Sequence, residues 1–155
     1  MVATLRKTLL LLVLPLFLAM PATAQTEADV AAVLDRWSAT YGAASSGGEM
    51  LPLYHPSAVF FGTSFPEPFV GRDAFAPYFQ QQFDNFPTRS VTFIDPIVVL
   101  VTPDVGTATG LYRFDVATAT GQRAQALYRF TFAMIRTDEG WQIVQHHSSA
   151  LPQQP

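Results

Sequence analysis

The chain has 155 residues, of which 49% are hydrophobic and 13% aromatic, and it contains no cysteine. This composition supports a single packed domain and excludes a disulfide framework or thiolate chemistry. Nine basic residues stand against 12 acidic ones, and the arginines are scattered. A nucleic-acid partner is therefore not expected, because such proteins need a basic face to neutralise phosphates.

The first 24 residues have the pattern of a secretory signal peptide. Arg6 and Lys7 precede an apolar run at residues 9–20, and Ala22-Thr23-Ala24 supplies small residues for cleavage. The apolar run is too short to span a bilayer. We therefore expect cleavage after Ala24 and a periplasmic or secreted protein without a membrane span. Its seven remaining basic and 12 acidic residues give a formal charge of −5.

The first predicted element of the mature chain is an amphipathic helix at residues 26–44. Its apolar residues recur every three or four positions and form one stripe: Val30, Val33, Leu34, Trp37 and Tyr41. Thr26 and Asp29 have the spacing of a capping box. Two serines and two glycines at residues 45–48 end this helix, and a short helix or turn follows at residues 49–54, ending at His55-Pro56.

A short buried strand is predicted at residues 57–63, where a β-prone apolar run is bounded by Pro56 and Gly62. Residues 64–70 contain two prolines and are predicted to form a loop. A second helix follows, with Asp73 as its N-cap and Pro77 in its first turn, where proline is tolerated. Its aromatic residues share one face: Phe75, Phe79, Phe83 and Phe86.

From residue 90 onward the sequence is β-rich. Four runs, at residues 91–101, 106–118, 123–137 and 140–149, are separated by hairpin-sized turns and predict an antiparallel meander. Asp95-Pro96 predicts a bulge, because proline cannot donate to a ladder. The element order predicts an α+β domain over residues 25–150, in which a bent sheet wraps around the helices and encloses a cavity. Residues 151–155 are predicted to be a flexible tail.

Several segments have a characteristic order and spacing. They are Trp37 with Tyr41, residues 58–63, Gly71-Arg72-Asp73-Ala74 leading to Tyr78-Phe79, and Trp141 to Val144 followed by residues 146–149. Together they resemble the nuclear-transport-factor-2-like superfamily, and within it SnoaL-like bacterial domains and the association (hub) domain of calcium/calmodulin-dependent protein kinase II. The resemblance implies a cone-shaped α+β barrel, commonly dimeric, with a pocket between sheet and helices. It implies no single activity, since the superfamily includes isomerases, cyclases, dehydratases, scaffolds and binding modules.

The resemblance to hub domains also implies site residues. It places two arginines that hold small carboxylates at Arg113 and Arg129, facing the cavity. It places His147 inward near them, whereas two other basic positions of the hub correspond to Ser148 and Phe75. Tyr78 completes the candidate ligand-binding set.

The residues themselves leave the role of Arg113 open. Asp115 lies two positions along the strand and shares its face, so a structural ion pair is as well supported as anion binding. Arg129 has no such local partner, which favours the cavity for it because an unpaired buried arginine needs a ligand or water.

The adjacent histidines His146 and His147 argue against a metal site. On a strand they point to opposite faces and cannot chelate one ion, so no metal or cofactor is expected. By simple alternation His147 shares a face with Trp141 and Ile143. A satisfied core histidine is the alternative to a functional one. Ser148 follows without a Gly-x-Ser-x-Gly elbow, so a hydrolase is not supported.

The sequence thus predicts an exported domain that binds a small, partly apolar molecule, with a small carboxylate as one candidate. Two alternatives stay open. One is a cofactor-independent isomerase or dehydratase that uses His147, Asp95 or Asp115 as its base. The other is a homo-oligomeric scaffold. A homodimer is expected on the outer face of the sheet, because both faces of residues 127–135 carry bulky apolar side chains.

Overall fold

The computed structural model describes residues 26–152, so the predicted signal peptide lies outside the described residues. The helices are α1 (Glu27–Ala43) and α2 (Ala76–Asn85), and 3₁₀ segments span Gly47–Leu53 and Arg72–Phe75. The strands are β1 (Tyr54–Phe61), β2 (Phe69–Val70), β3 (Thr88–Thr102), β4 (Val105–Ala117), β5 (Arg123–Thr137) and β6 (Gly140–Ala150). Within this part of the chain, no helix combines the length and apolarity needed to cross a bilayer.

All six strands belong to one sheet, in the order β2-β1-β6-β5-β4-β3. Strands β3 to β6 form the predicted antiparallel meander. β1 adds to β6 in parallel, a pairing that the sequence did not indicate, and β2 pairs with β1 antiparallel. The predicted α+β class is confirmed, and the helices cover one face of the sheet.

Helix α1 forms where the apolar period predicts it. Thr26 caps the helix, and its backbone N–H donates to the Asp29 carboxylate at 2.7 Å, as expected for a capping box. The residues of the predicted stripe are all exposed by 3% or less: Val30, Val33, Leu34, Trp37 and Tyr41. They bury the apolar face of α1 against the inner face of the sheet, chiefly β3 and β4.

The start of α2 differs from the prediction. Asp73 is not its N-cap, because Gly71, with a φ of 82°, turns the chain into a 3₁₀ segment, and α2 begins only after Phe75. Glycine adopts this positive φ without the clash that a Cβ causes. Pro77 lies in the first turn of α2, as predicted. Phe75, Phe79 and Phe83 are buried, whereas Phe86 lies just beyond the helix.

β1 begins earlier than predicted, so His55-Pro56 lies within the strand instead of ending a helix. The ladder from β1 to β6 is irregular between Tyr54 and Val59, and Pro56 is therefore not required to donate there. The segment at residues 64–70, predicted to be entirely loop, ends in the two-residue strand β2.

Two bulges set which side chains face the helices. The predicted one is confirmed: the pairing of β3 with β4 slips between Ile94 and Ile97, and Asp95 has a φ of 41°. The second was not predicted. Met134 pairs with Ile143 and Ala133 with Gln145, so one residue of β6 is extra. An extra residue inverts the alternation that follows it.

Candidate functional site

A cavity of about 240 Å³ lies between the helices and the inner face of the sheet. Its walls are aromatic, small or neutral polar side chains. The lining residues are Trp37, Tyr41, Phe60, Thr63, Ser64, Tyr78, Phe79, Gln82, Phe86, Tyr112, Phe114, Val116, Ala124, Ala126, Tyr128, His146 and Ser148. Among the described residues, none that lines it is an aspartate, glutamate, lysine or arginine.

The space exists because small and large inward residues alternate between neighbouring strands. On β4 the inward side chains Phe114 and Val116 are bulky, and the residues paired with them on β5 are Ala126 and Ala124. The alanines leave unfilled volume beside the aromatic wall. This end of the sheet therefore holds a pocket, whereas the bulky Phe132, further along β5, is fully buried in the core.

A hydrogen-bonded chain enters the cavity wall from the core. The Trp37 indole N–H donates to Tyr54 Oη at 2.8 Å, and the same Oη lies 2.8 Å from His146 Nδ1. An indole N–H can only donate, so Tyr54 Oη accepts from Trp37 and keeps its own proton, and His146 Nδ1 lies within hydrogen-bond distance of it. When Tyr54 donates to Nδ1, the neutral His146 ring carries its own proton on Nε2, which lies 3.4 Å from Tyr112 Oη.

The polar groups of this wall are neutral. Burial lowers the pKa of His146 well below its usual value, and the neighbouring His147 lowers it further. Burial also raises the pKa of the Tyr54 and Tyr112 phenols, and it raises the pKa of Tyr78 to about 12. At neutral pH the cavity thus offers uncharged hydrogen-bonding groups.

The hydroxyl groups of Ser148 and Thr63 continue the hydrogen-bonded network towards the loop after β1. Ser148 hydrogen-bonds Tyr112, which offsets part of the larger rise in the Tyr112 pKa caused by burial. The Ser148 and Thr63 hydroxyls are in hydrogen-bond contact. Because His146, Tyr112, Ser148 and Thr63 all line the cavity, they form one continuous polar wall.

The structure corrects the predicted position of Arg113. Its side chain lies on the outer face of β4, where Nε donates to Asp115 Oδ2 at 2.9 Å, and Gln125 donates to the same carboxylate. The hydrogen bond from Arg113 is the main reason why the pKa of Asp115 is lowered. Of the two readings left open for Arg113, the ion pair is the one that the structure contains.

Arg129 and His147 also lie outside the cavity, contrary to prediction. Arg129 is exposed between the inward residues Tyr128 and Phe130. His147 is exposed after the β6 bulge, and its ring centroid lies 6.2 Å from that of Phe61. Of the four candidate residues only Tyr78 reaches the cavity, so the structure does not bring the set together.

Part of the cavity lining could have been predicted from the sequence. Aromatic residues flank each arginine, and Tyr112 and Phe114 fill the inward positions around Arg113 because burying rings is far less costly than burying a charge. His146 had no comparable signal, since its inward orientation depends on the bulge. In the region that the structure describes, no three histidine, aspartate or glutamate side chains converge to hold a metal.

Comparison with known proteins assigns the family. The model of the SnoaL-like domain matches residues 30–153. The chain belongs to the SnoaL-like domain family. A comparison with curated protein sequences gives no significant match for this SnoaL-like domain.

Solved structures share the fold of this SnoaL-like domain. A proposed calcium/calmodulin-dependent protein kinase II association domain from Xanthomonas campestris is 27% identical, with a TM-score of 0.76 over 87% of this chain and 95% of that chain. A proposed dehydratase of the NTF2-like family from Streptomyces avermitilis is 15% identical, with a TM-score of 0.73 over 84% and 100%. An NTF2-like superfamily protein from Salmonella enterica is 16% identical, with a TM-score of 0.71 over 83% and 93%. The last two likenesses show the fold alone.

Proposed function

We propose that this SnoaL-like domain binds a small, neutral, largely apolar molecule in its cavity. The observation that carries the proposal is the lining itself, which combines aromatic walls with one neutral polar wall and, within residues 26–152, includes no charged side chain. Binding sites for small molecules typically have this composition, with a few polar groups that orient the ligand.

The aromatic residues of the lining favour a flat ligand of one or two rings. Trp37, Phe79 and Phe114 present ring surfaces, which interact well with other rings by stacking or edge contacts. The volume of about 240 Å³ is slightly below the usual range for a ligand pocket, which favours a small ligand. A planar bicyclic molecule therefore suits this cavity better than a long or branched one.

A neutral ligand is favoured over the small carboxylate considered from the sequence. A carboxylate transferred into this cavity loses hydration, and Arg113 and Arg129, the cations expected to compensate it, lie on the outer face. The hydroxyl groups of the polar wall can solvate a carbonyl oxygen without this penalty.

Binding is also favoured over the isomerase or dehydratase alternative, although a structural neighbour is a proposed dehydratase. The bases considered for that chemistry were His147, Asp95 and Asp115, and none of them lines the cavity. His146 does line it, but burial lowers its pKa well below the usual value, which makes it a weak base.

Thermal melts with a matched series of bicyclic molecules test the proposal. Indane, 1-indanone and indane-1-carboxylate share one ring system and differ in polarity and charge. We expect the two neutral compounds to raise the Tm, since a ligand at 100 times its Kd adds about 2.7 kcal/mol to the stability. We expect the carboxylate to have little effect. Absence of a shift with every compound would contradict the proposal.

Two substitutions on β5 locate the binding site. Ala126→Phe fills the cavity, so it should abolish the shift. Ala133→Phe places the same ring on the outer face and should leave the shift intact, as should Arg129→Gln. Equal loss in Ala126→Phe and Ala133→Phe would indicate that binding occurs elsewhere.

Export remains part of the proposal and rests on residues 1–24, whose basic start, apolar run and Ala-x-Ala site are typical of a signal peptide. Amino-terminal sequencing of protein from the periplasm or medium should give Gln25 as the first residue. Recovery of the full-length chain in the cytoplasm alone would contradict export.

A further inference from the structure

The hydrogen bonds that link Trp37, Tyr54 and His146 can be followed from donor to acceptor, starting at Trp37. Trp37 Nε1 has a proton and no acceptor capacity, so it fixes Tyr54 Oη as its acceptor. Tyr54 then has one proton left, and His146 Nδ1, at 2.8 Å, is the atom in place to receive it. In this arrangement the neutral His146 ring presents Nε2–H towards Tyr112.

The four polar groups of the cavity wall hold more donor protons than the hydrogen bonds between them can use. The four groups of the polar wall, His146, Tyr112, Ser148 and Thr63, hold four protons, one on Nε2 and one on each hydroxyl. At most three hydrogen bonds link them in series. Whichever way the hydroxyl groups rotate, at least one of the four protons is not used by a hydrogen bond within the polar wall, which leaves it for an acceptor outside these four groups.

A buried N–H or O–H group without an acceptor costs more free energy than an acceptor with an unused lone pair. A buried donor without an acceptor loses the full interaction that it had with water. Oxygen acceptors with a spare lone pair are tolerated more readily in proteins. The polar wall therefore needs a group that accepts a hydrogen bond, which water supplies in the free protein and a ligand must supply when water is displaced.

We propose that the cavity selects neutral molecules bearing a carbonyl oxygen, such as cyclic ketones, aldehydes or lactones, and that Trp37 and Tyr54 are positioning residues that hold His146 as a donor. This inference rests on the proposed binding function and adds the ligand class to it. Tyr54 does not line the cavity, so it acts only through His146.

The proton position can be tested without any ligand. Nitrogen-15 NMR of the histidine side chains distinguishes the two neutral tautomers. We expect His146 in the wild-type protein to carry its proton on Nε2. We expect Tyr54→Phe, which removes only the hydroxyl group, to lose this preference. A wild-type His146 protonated on Nδ1 would overturn the inference and leave the proposed binding function standing.

The ligand preference is tested by calorimetry with indane and 1-indanone. We expect wild-type protein to bind 1-indanone about tenfold more tightly, the effect of one hydrogen bond gained. Tyr54→Phe should reduce this ratio and leave indane binding unchanged. Thr131→Val is the matched control, because it removes a hydroxyl of the outer face that contacts Thr109. It should keep the full ratio.

The possible failures are distinct. Equal affinity of the wild-type protein for both compounds overturns the carbonyl preference alone. A ratio that survives Tyr54→Phe overturns the role of Tyr54. Absence of binding by both compounds overturns the proposed function together with this inference.

Discussion

At the scale of single residues, His146 shows how burial decides charge. Its side chain is 2% exposed and surrounded by rings, including Phe60 and Phe132 with centroids at 4.5 and 4.4 Å. Protonation would place a cation in this setting, so burial lowers the pKa of His146 well below its usual value, and His147 adds to the effect. The buried ring is therefore uncharged at neutral pH.

The lowered pKa of His146 predicts how stability changes with pH. Below about pH 6.5 the unfolded chain binds a proton at this histidine and the folded protein does not. The free energy of unfolding should therefore fall as the pH decreases below about 6.5, by up to about 1.4 kcal/mol per pH unit. Urea unfolding between pH 7.5 and 5.5 measures this slope.

Two variants test whether His146 causes this dependence of the unfolding free energy on pH. His146→Gln removes the titrating group and should flatten the dependence, even though it also lowers stability at every pH. His147→Gln should retain most of the slope, because burial is the larger cause of the lowered His146 pKa and His147 only the smaller one. A slope that is unchanged in His146→Gln would show that other groups carry it.

At the scale of elements, Arg89 joins the ends of both helices. Its Nε donates to the Tyr41 carbonyl at 2.8 Å, Nη2 donates to the Ala44 carbonyl, and Nη1 donates to the Phe86 carbonyl at 3.3 Å. The guanidinium also lies 3.7 Å from the centroid of the Phe83 ring. One cation at the start of β3 thus satisfies the carbonyl groups that α1 and α2 leave unpaired.

We predict that Arg89→Met lowers the free energy of unfolding by about 2 to 3 kcal/mol, because charge-assisted hydrogen bonds are lost and carbonyl groups are left without partners. Arg89→Lys should recover only part of this, since an ammonium cannot match the planar fork. Arg123→Met, at an exposed position, is the control and should change stability by less than about 0.5 kcal/mol. Similar unfolding midpoints for all variants would contradict the role of Arg89.

A close approach fixes the first 3₁₀ segment against α2. A Cβ atom on Gly47 would lie 2.1 Å from the Ala76 carbonyl oxygen, and the Gly47 N–H donates to Gln80 Oε1 at 2.9 Å. The neighbouring Gly48 has room, because the nearest atom to its added Cβ would be Ser46 Oγ at 3.8 Å.

We therefore predict opposite results for the two adjacent glycines. Gly47→Ala should destabilise the protein by about 1 to 3 kcal/mol, since backbone atoms must move to admit the methyl group. Gly48→Ala should be neutral to slightly stabilising. Thermal melts under identical conditions compare them, and equal Tm values would show that the 3₁₀ segment moves freely relative to α2.

In the molecule as a whole, the outer face of the sheet exposes apolar side chains that no helix in the described part of the chain covers. After the Asp95-Pro96 bulge, β3 turns apolar side chains outward: Ile97 is 65% exposed, Val99 43% and Val101 57%. A run of exposed aliphatic residues on one strand is unfavourable in water and is typical of an interface. This supports the homodimer proposed from the sequence.

We predict that the protein is a dimer at concentrations on the order of tens of micromolar, where interfaces of ordinary affinity are formed. Val99→Lys should shift sedimentation towards the monomer, because the interface would have to bury a charge. Val70→Lys changes a residue that is 72% exposed on β2, at the opposite edge, and should not. Wild-type protein that sediments only as a monomer would contradict the dimer.

The features that depend on near neighbours could be predicted from the sequence alone. The stripe of α1, the capping box at Thr26, the meander and the bulge at Asp95-Pro96 each follow from local spacing or from the geometry of one residue type. The α+β class followed from the order of these elements. Such features need no knowledge of distant contacts, because backbone hydrogen bonding and side-chain period define them.

The complete set of residues that form the site could not be predicted from local patterns, because it depends on contacts between distant parts of the chain. Counting from Trp141 and Ile143 by alternation puts His147 inward, but the extra residue in β6 inverts the phase, and His146 enters the core. Unlike the bulge at Asp95-Pro96, the one in β6 is marked by no proline, and its position depends on how β5 and β6 pair over their whole length. The same global packing put rings inside and Arg113 and Arg129 outside, because desolvating an unpaired guanidinium costs more than exposing it.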